Sequence, residues 1–255
     1  MGAILQSLGR GTHIGRHSIV TAVLISFAVV VAVVTLMVLT AIGRVADYSN
    51  KLDDERSWET TVGALKTFQG QLEATLHDHS ARNDAARSIY GKDEQGWIAG
   101  NYGDISSNGA LFDIAVIVDD NNKPIVAYHD GELVTEGIEG ILGTAVWALV
   151  DQARMTRVTG VPEAGGYIMT SNGIAAAAAA TIRERSGRIP VPEGQRRYLI
   201  LVRYLDAARI TMLSNTYVIS GLKLVPPDTV VRYAVSIVDP LGMSLGRLIW
   251  NSRQP

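Results

Sequence analysis

The sequence predicts an α+β protein: an N-terminal transmembrane helix continuing into a long helix, then an antiparallel sheet domain with a small lobe of further strands. Three observations predict it. The 26 residues from Ser18 to Gly43 contain no charge, Asn, Gln or Pro. From Val45 to about Tyr90 apolar residues recur mostly three and four apart, the period of a helix. After Gly91 the period changes to short apolar runs bounded by turn residues, the pattern of strands.

Composition narrows the function classes. The chain has 255 residues, 47% of them hydrophobic and 19% charged, enough for one large or two small domains. It has no cysteine, so disulfide frameworks, thiolate metal sites and cysteine nucleophiles are excluded. Only three of its 23 basic residues and none of its 25 acidic ones precede Val45. The remainder is therefore acidic, and nucleic acid is a poor partner for it.

At ~1.5 Å per residue the uncharged run reaches roughly 39 Å, against about 30 Å of bilayer hydrocarbon. Its many β-branched residues would favour strands in water, but lipid requires every backbone group to be satisfied within the segment, which selects helix. The run is too long for a signal-peptide core and ends in Gly43, Arg44 and Val45 instead of a small-residue cleavage site. Arg10 and Arg16, with His13 and His17, precede it, whereas Asp47, Asp53, Asp54 and Glu55 follow it. The positive-inside rule then puts residues 1–17 in the cytoplasm and everything after Arg44 outside the cytoplasmic membrane, which in a Gram-negative bacterium means the periplasm.

The long helix, expected over residues 44–92, carries Val62, Leu65, Leu72 and Leu76 in one heptad frame. Such a stripe suits a parallel homodimer, for which these four are the candidate interface residues, and equally suits packing on the chain's own sheet. Strands follow at Leu111 to Val118 and Ile125 to His129, joined by a turn over Asp119 to Pro124. A helix is expected from Ile138 to Arg157. Gly166 to Thr170 and Ile174 to Glu184 read as strands about a Ser171-Asn172-Gly173 turn. The second contains six consecutive alanines that by propensity favour helix. A polar loop with Pro190 and Pro192 leads to a buried strand at Arg197 to Tyr204. Asp206 to Tyr217 reads as helix, Ile219 to Leu224 as a short strand, and Val230 to Val238 with Met243 to Trp250 as a hairpin.

This order matches a PAS-like sensor core over residues 93–205: one antiparallel sheet, helices on one face, and a pocket between the sheet and the helix that follows the second strand. Residues 206–255 form too few elements for their own core and are expected as a membrane-proximal helix and hairpin.

The stretch from His77 to Gly131, with Trp97 and Asn101 ahead of the hairpin and the Asp119-Asp120-Asn121-Asn122 turn, resembles the class-four CHASE family, as does Arg196 to Tyr217 with its Arg203-x-Leu205-Asp206 helix entry. These are extracellular sensory domains of bacterial signalling receptors. The resemblance covers roughly Trp58 to Trp250, and departs where relatives often carry paired Trp and Asp and this chain has Asn83, Asp84 and Ala85. It implies a second span and a cytoplasmic output, commonly cyclic di-GMP turnover, after Pro255. The chain is then either the sensory fragment of a longer receptor or a degenerate stand-alone product.

The sequence has no H-E-x-x-H, P-loop or G-x-G-x-x-G signature. His77 and His79 lie two apart on a helix and diverge, so no metal site is expected there. The Asp119 to Asn122 run lacks the glycine and glutamate of a calcium loop. No cofactor is expected. Candidate ligand-binding residues are Trp97, Tyr102, Tyr128, Trp147, Tyr167, Arg203 and Asp206, under a mobile loop containing Gly96, Gly100, Gly103 and Gly109. Arg203 either holds a ligand carboxylate through paired bonds or bridges to Asp206 or a helix acid. Two function classes follow: an input region that senses an unidentified small molecule or an envelope change, and a static dimerisation or protein-interaction module.

Overall fold

The computed structural model describes residues 16–91, 94–107, 109–135, 137–155, 164–185, 191 and 194–252. Arg10, His13, Arg157, Pro190 and Pro192, named above, fall outside them. Among the described residues the chain divides into two units, one ending at Leu52 and the other starting at Asp53. Helix α1, Arg16–Ser80, begins in the first. There its large apolar side chains face outward, Phe27 at 67% and Leu36 at 63% exposure, and the helix is long and apolar enough to cross a membrane.

In the second unit the rest of α1 is core. Leu72 and Leu76 have no exposed surface, Leu65 retains 6% and Val62 is half-buried. The stripe expected as a dimer face is therefore spent inside the chain, against Phe68, Leu199 and Leu201. Its periodicity is that of any helix covering a sheet. The helix stops ten residues earlier than its pattern suggested, and a separate α2 spans Asn83–Tyr90. Arg82 between them is extended, its guanidinium held by the Asp84 carboxylate at 2.7 and 3.0 Å. The Ser80 carbonyl accepts instead from Arg183 N–H at 2.9 Å, and the Asn83 side chain accepts from Arg185 N–H at 3.0 Å. Asn and Asp offer the backbone these alternatives to a helix.

Two short helices, α3 (Glu94–Ile98) and α4 (Asp104–Ser106), flank a π-helical turn over Ala99–Gly103. The glycine-containing segment read as a mobile loop is thus largely helical. Strands β1 (Ile114–Asp119), β2 (Pro124–His129) and the two-residue β3 (Glu132–Leu133) follow. The next expected helix is broken at Gly143 into α5 (Ile138–Leu142) and α6 (Val146–Met155). Then come β4 (Ala164–Thr170), β5 (Gly173–Thr181), β6 (Arg197–Tyr204) and α7 (Ala207–Thr216). The antiparallel sheet has the order β3-β2-β1-β6-β5-β4. A second, three-stranded sheet combines β7 (Lys223–Val225), β9 (Ser244–Ile249) and β8 (Val235–Val238) in the order β7-β9-β8.

The alanine run is a strand, β5, and its neighbours explain why. Thr170 Oγ accepts from Asn172 N–H at 3.1 Å and donates to Gly173 C=O at 2.7 Å, closing a tight turn that returns the chain beside β4. Ala176, Ala178 and Ala180 then face α1, while Ala175, Ala177 and Ala179 face α5 and α6. Helices therefore cover both faces of the sheet, not one. Because β1, β5 and β6 are apolar at successive positions, either face left open would expose a full row of them.

Candidate functional site

A groove of about 920 Å³ runs along the outer edge of β2. Its floor is the contiguous stretch Lys123 to Tyr128. Ile98 and Ala99 form one wall, and Leu133, Val134 and Ile138 the other. Local sequence builds each side. Asp119 Oδ1 accepts from Asn121 N–H at 2.8 Å and Lys123 N–H at 2.9 Å, folding the turn that starts β2. Pro124 then opens the strand at the sheet edge, where its missing N–H is tolerated. Asp130 and Gly131, with φ of 50° and 89°, make the two-residue turn into β3, and positive φ at both positions is what Asp-Gly supplies. Gly131 also presses on α4: an added Cβ would lie 2.7 Å from Ser107 Cβ, and its N–H donates to Ser106 Oγ at 3.0 Å. Tyr128 packs against Gly103, where a Cβ would meet the ring at 2.9 Å. Burial, and secondarily the Asp104 charge, raises the Tyr128 hydroxyl pKa.

An aromatic cluster stands behind the helical wall. Tyr102 is fully buried and donates to the His79 carbonyl at 3.3 Å, and Trp97 meets it edge-on at 5.7 Å. His79 packs edge-on against Phe112 at 5.8 Å, and its Nδ1 is buried with no hydrogen-bond partner among the described residues. Burial lowers the His79 pKa, with the Arg82 charge acting in the same direction and Asp78 and Asp84 opposing.

A buried ion pair fixes the opposite end of β1. Asp113, 4% exposed, accepts two 2.7 Å bonds from the Arg209 guanidinium and a third at 2.7 Å from Tyr204 N–H. Arg209 also donates to the carbonyls of Gly109 at 2.7 Å and Tyr204 at 3.0 Å. Paired, charge-assisted bonds of this kind are strong and directional, so they lock α7 to β1.

The structure does not bring the seven candidate residues together. Tyr128 lines the groove, and Trp97 and Tyr102 stand behind its wall. Tyr167 is core under α1, its hydroxyl on the Leu65 carbonyl at 2.9 Å. Trp147 packs with α6 on the other face, where Leu149 and Val150 fill the space expected to be a pocket. Arg203 lies over the Phe68 ring at 5.0 Å with one 3.4 Å bond to Gln71 Oε1. Among the described residues it bridges neither to Asp206 nor to a helix acid; burial, then the Arg209 charge, lowers its pKa. Asp206 caps α7 by accepting from Arg209 N–H at 2.7 Å. Sequence reading missed Lys123, Ile125, Leu133 and Ile138, although the Asp130-Gly131 pair was a hairpin signal for that edge. Nothing local announces the Asp113–Arg209 pair, whose members are 96 residues apart.

Residues 64–225 match the family model of the CHASE4 domain, well over half of the chain. The chain belongs to the CHASE4 family. CHASE4 domains are extracellular sensory domains and not catalytic ones. The match runs from the core part of α1 to the end of β7, so it takes in the six-stranded sheet, the groove and the Asp113–Arg209 pair. No curated protein matches the chain.

Proposed function

We propose that this chain is the extracytoplasmic input region of a bacterial inner-membrane receptor, with residues 1–17 in the cytoplasm, 18–43 spanning the membrane and the CHASE4 domain in the periplasm. The observation that carries this reading is a sensory-family match that begins 21 residues after an uncharged helical run flanked by Arg10 and Arg16. Residues 93–205 act as a PAS-like sensor core, and residues 206–255 lead toward a second span and a cytoplasmic output, cyclic di-GMP turnover. The input works as a homodimer. A signal biases two packings of the CHASE4 domain, which a stimulus achieves only through its differential affinity for them.

The alternative, a static dimerisation or interaction module, draws support from the well-filled faces of the six-stranded sheet. One hybrid receptor separates the two. The chain, joined after Pro255 to the second span and cyclase of a related receptor, changes cyclic di-GMP output when envelope components are varied if it is an input region. Output that stays constant under all of them assigns the static module. Reporter fusions after Gln6 and Lys66 give opposite compartments, and identical compartments overturn the topology.

A further inference from the structure

We infer that the groove along β2 takes one long-chain fatty acid, with its aliphatic chain laid on the strand edge and its carboxylate on Lys123. This deepens the sensory reading and depends on it for biological meaning, though not for the binding itself.

The lining selects a chain over a ring. Ile98, Ile125, Val126, Leu133, Val134 and Ile138 present branched aliphatic surface, and Tyr128 is the one aromatic side chain among the lining residues. Planar aromatic ligands gain from stacking partners, of which this groove offers one. Two of the lining side chains are costly to leave in water: Ile125 is 42% exposed and Leu133 56%.

Dimensions agree. Five residue steps from Lys123 to Tyr128, at ~3.3 Å each, give roughly 17 Å of floor. An acyl chain filling one leaflet covers about 15 Å, half of a hydrocarbon core ~30 Å thick. A volume of about 920 Å³ lies at the upper end of small-molecule sites.

An extended peptide fits less well. The outer edge of β2 is already engaged at Tyr128 and His129 by β3, and the Ala127 carbonyl accepts from Val134 N–H at 2.8 Å. Pro124 has no N–H to offer. Too few backbone groups remain to extend the sheet. For the headgroup, Lys123 lines the groove at the start of its floor, its backbone N–H is held in the Asp119 turn, and its side chain forms no ion pair among the described residues. Glu139 also lines the groove and opposes a carboxylate, so Glu139→Gln strengthens binding.

The full chain in phosphatidylcholine nanodiscs, irradiated with a diazirine-bearing palmitic acid, tests this by mass mapping of labelled peptides. Residues 18–43 label from the bilayer and serve as an internal control. The inference expects a second labelled set spanning Ile98, Ile125, Val126 and Leu133 to Ile138. Excess palmitate competes it away, Leu133→Glu at its exposed position reduces it several-fold, Lys123→Glu weakens it and Lys123→Arg keeps it. Labelling confined to residues 18–43 overturns the inference, and methyl palmitate competing as well as palmitate overturns the role of Lys123. A labelled groove with constant output in the hybrid receptor upholds the binding and removes the sensory reading. An unlabelled groove with a responsive hybrid does the reverse.

Discussion

β5 and β2 belong to one sheet and differ in nearly everything that packing controls. Seven of the nine residues of β5 are buried, against one of the six in β2. β5 lies between two hydrogen-bonded neighbours with α1 on one face and α6 on the other, while β2 has only the two-residue β3 outside it and short helices beside it. The side chains reverse what composition suggests. β5 is mostly alanine yet buried along all but its two end residues, because small side chains let both helix layers come close. β2 carries Ile125, Val126 and Tyr128 yet stays open, because nothing long enough covers it. Burial here is set by the covering elements, and the strand with the larger apolar side chains is the one left open.

The largest effect is expected where the two halves join. Arg209→Ala leaves the Asp113 carboxylate buried without its partner, and breaking a buried pair costs about 3–5 kcal/mol. Chemical denaturation measures it, and a loss below about 1 kcal/mol would mean the pair behaves as a surface bridge. Next is Ala177→Leu in the closed half, which adds volume against α6 and costs about 1–3 kcal/mol. A neutral result there would reveal unfilled space behind β5.

A pH effect separates the halves without mutation. The His79 pKa is lowered in the folded state, so the unfolded chain binds the proton more readily. The stability that His79 contributes is complete above the unfolded value near 6.5 and is lost as pH falls below it. Hydrogen exchange at mildly acidic pH should quicken first at Ala99–Gly103, next to His79, and later at Ala175 to Ala179. His79→Gln should flatten the difference, and simultaneous opening of both segments would refute it. The smallest effect is expected at Ile125→Thr, within about 0.5 kcal/mol because the side chain is already exposed.

Most strands and the cap of α7 were legible in the sequence because each rests on local chemistry: the Thr170 to Gly173 turn, the Asp239 carboxylate accepting from Leu241 and Met243 N–H, the Asp206 cap. The stripe on α1 was legible as a stripe, but a heptad period does not say whether a sheet or a second helix lies against it. The break at Arg82 was hidden because its causes, Arg183 and Arg185, come a hundred residues later. The groove was hidden for a different reason. It is the space that neighbouring elements leave uncovered along β2, and a periodicity reports only what is covered.

The strand order also sets the sequence in which the molecule assembles. β4, β5 and β6 pair with chain neighbours, whereas β1 reaches β6 by bringing Asp119 opposite Arg197, closing a loop of about 80 residues. Such non-local pairing is the slow step in sheet proteins. β1, β2 and β3 also pair with chain neighbours, so the sheet consists of two local blocks, and their joining along β1 and β6 is the slow step. The groove edge belongs to the block that is synthesised first, one strand away from the seam where the two blocks meet.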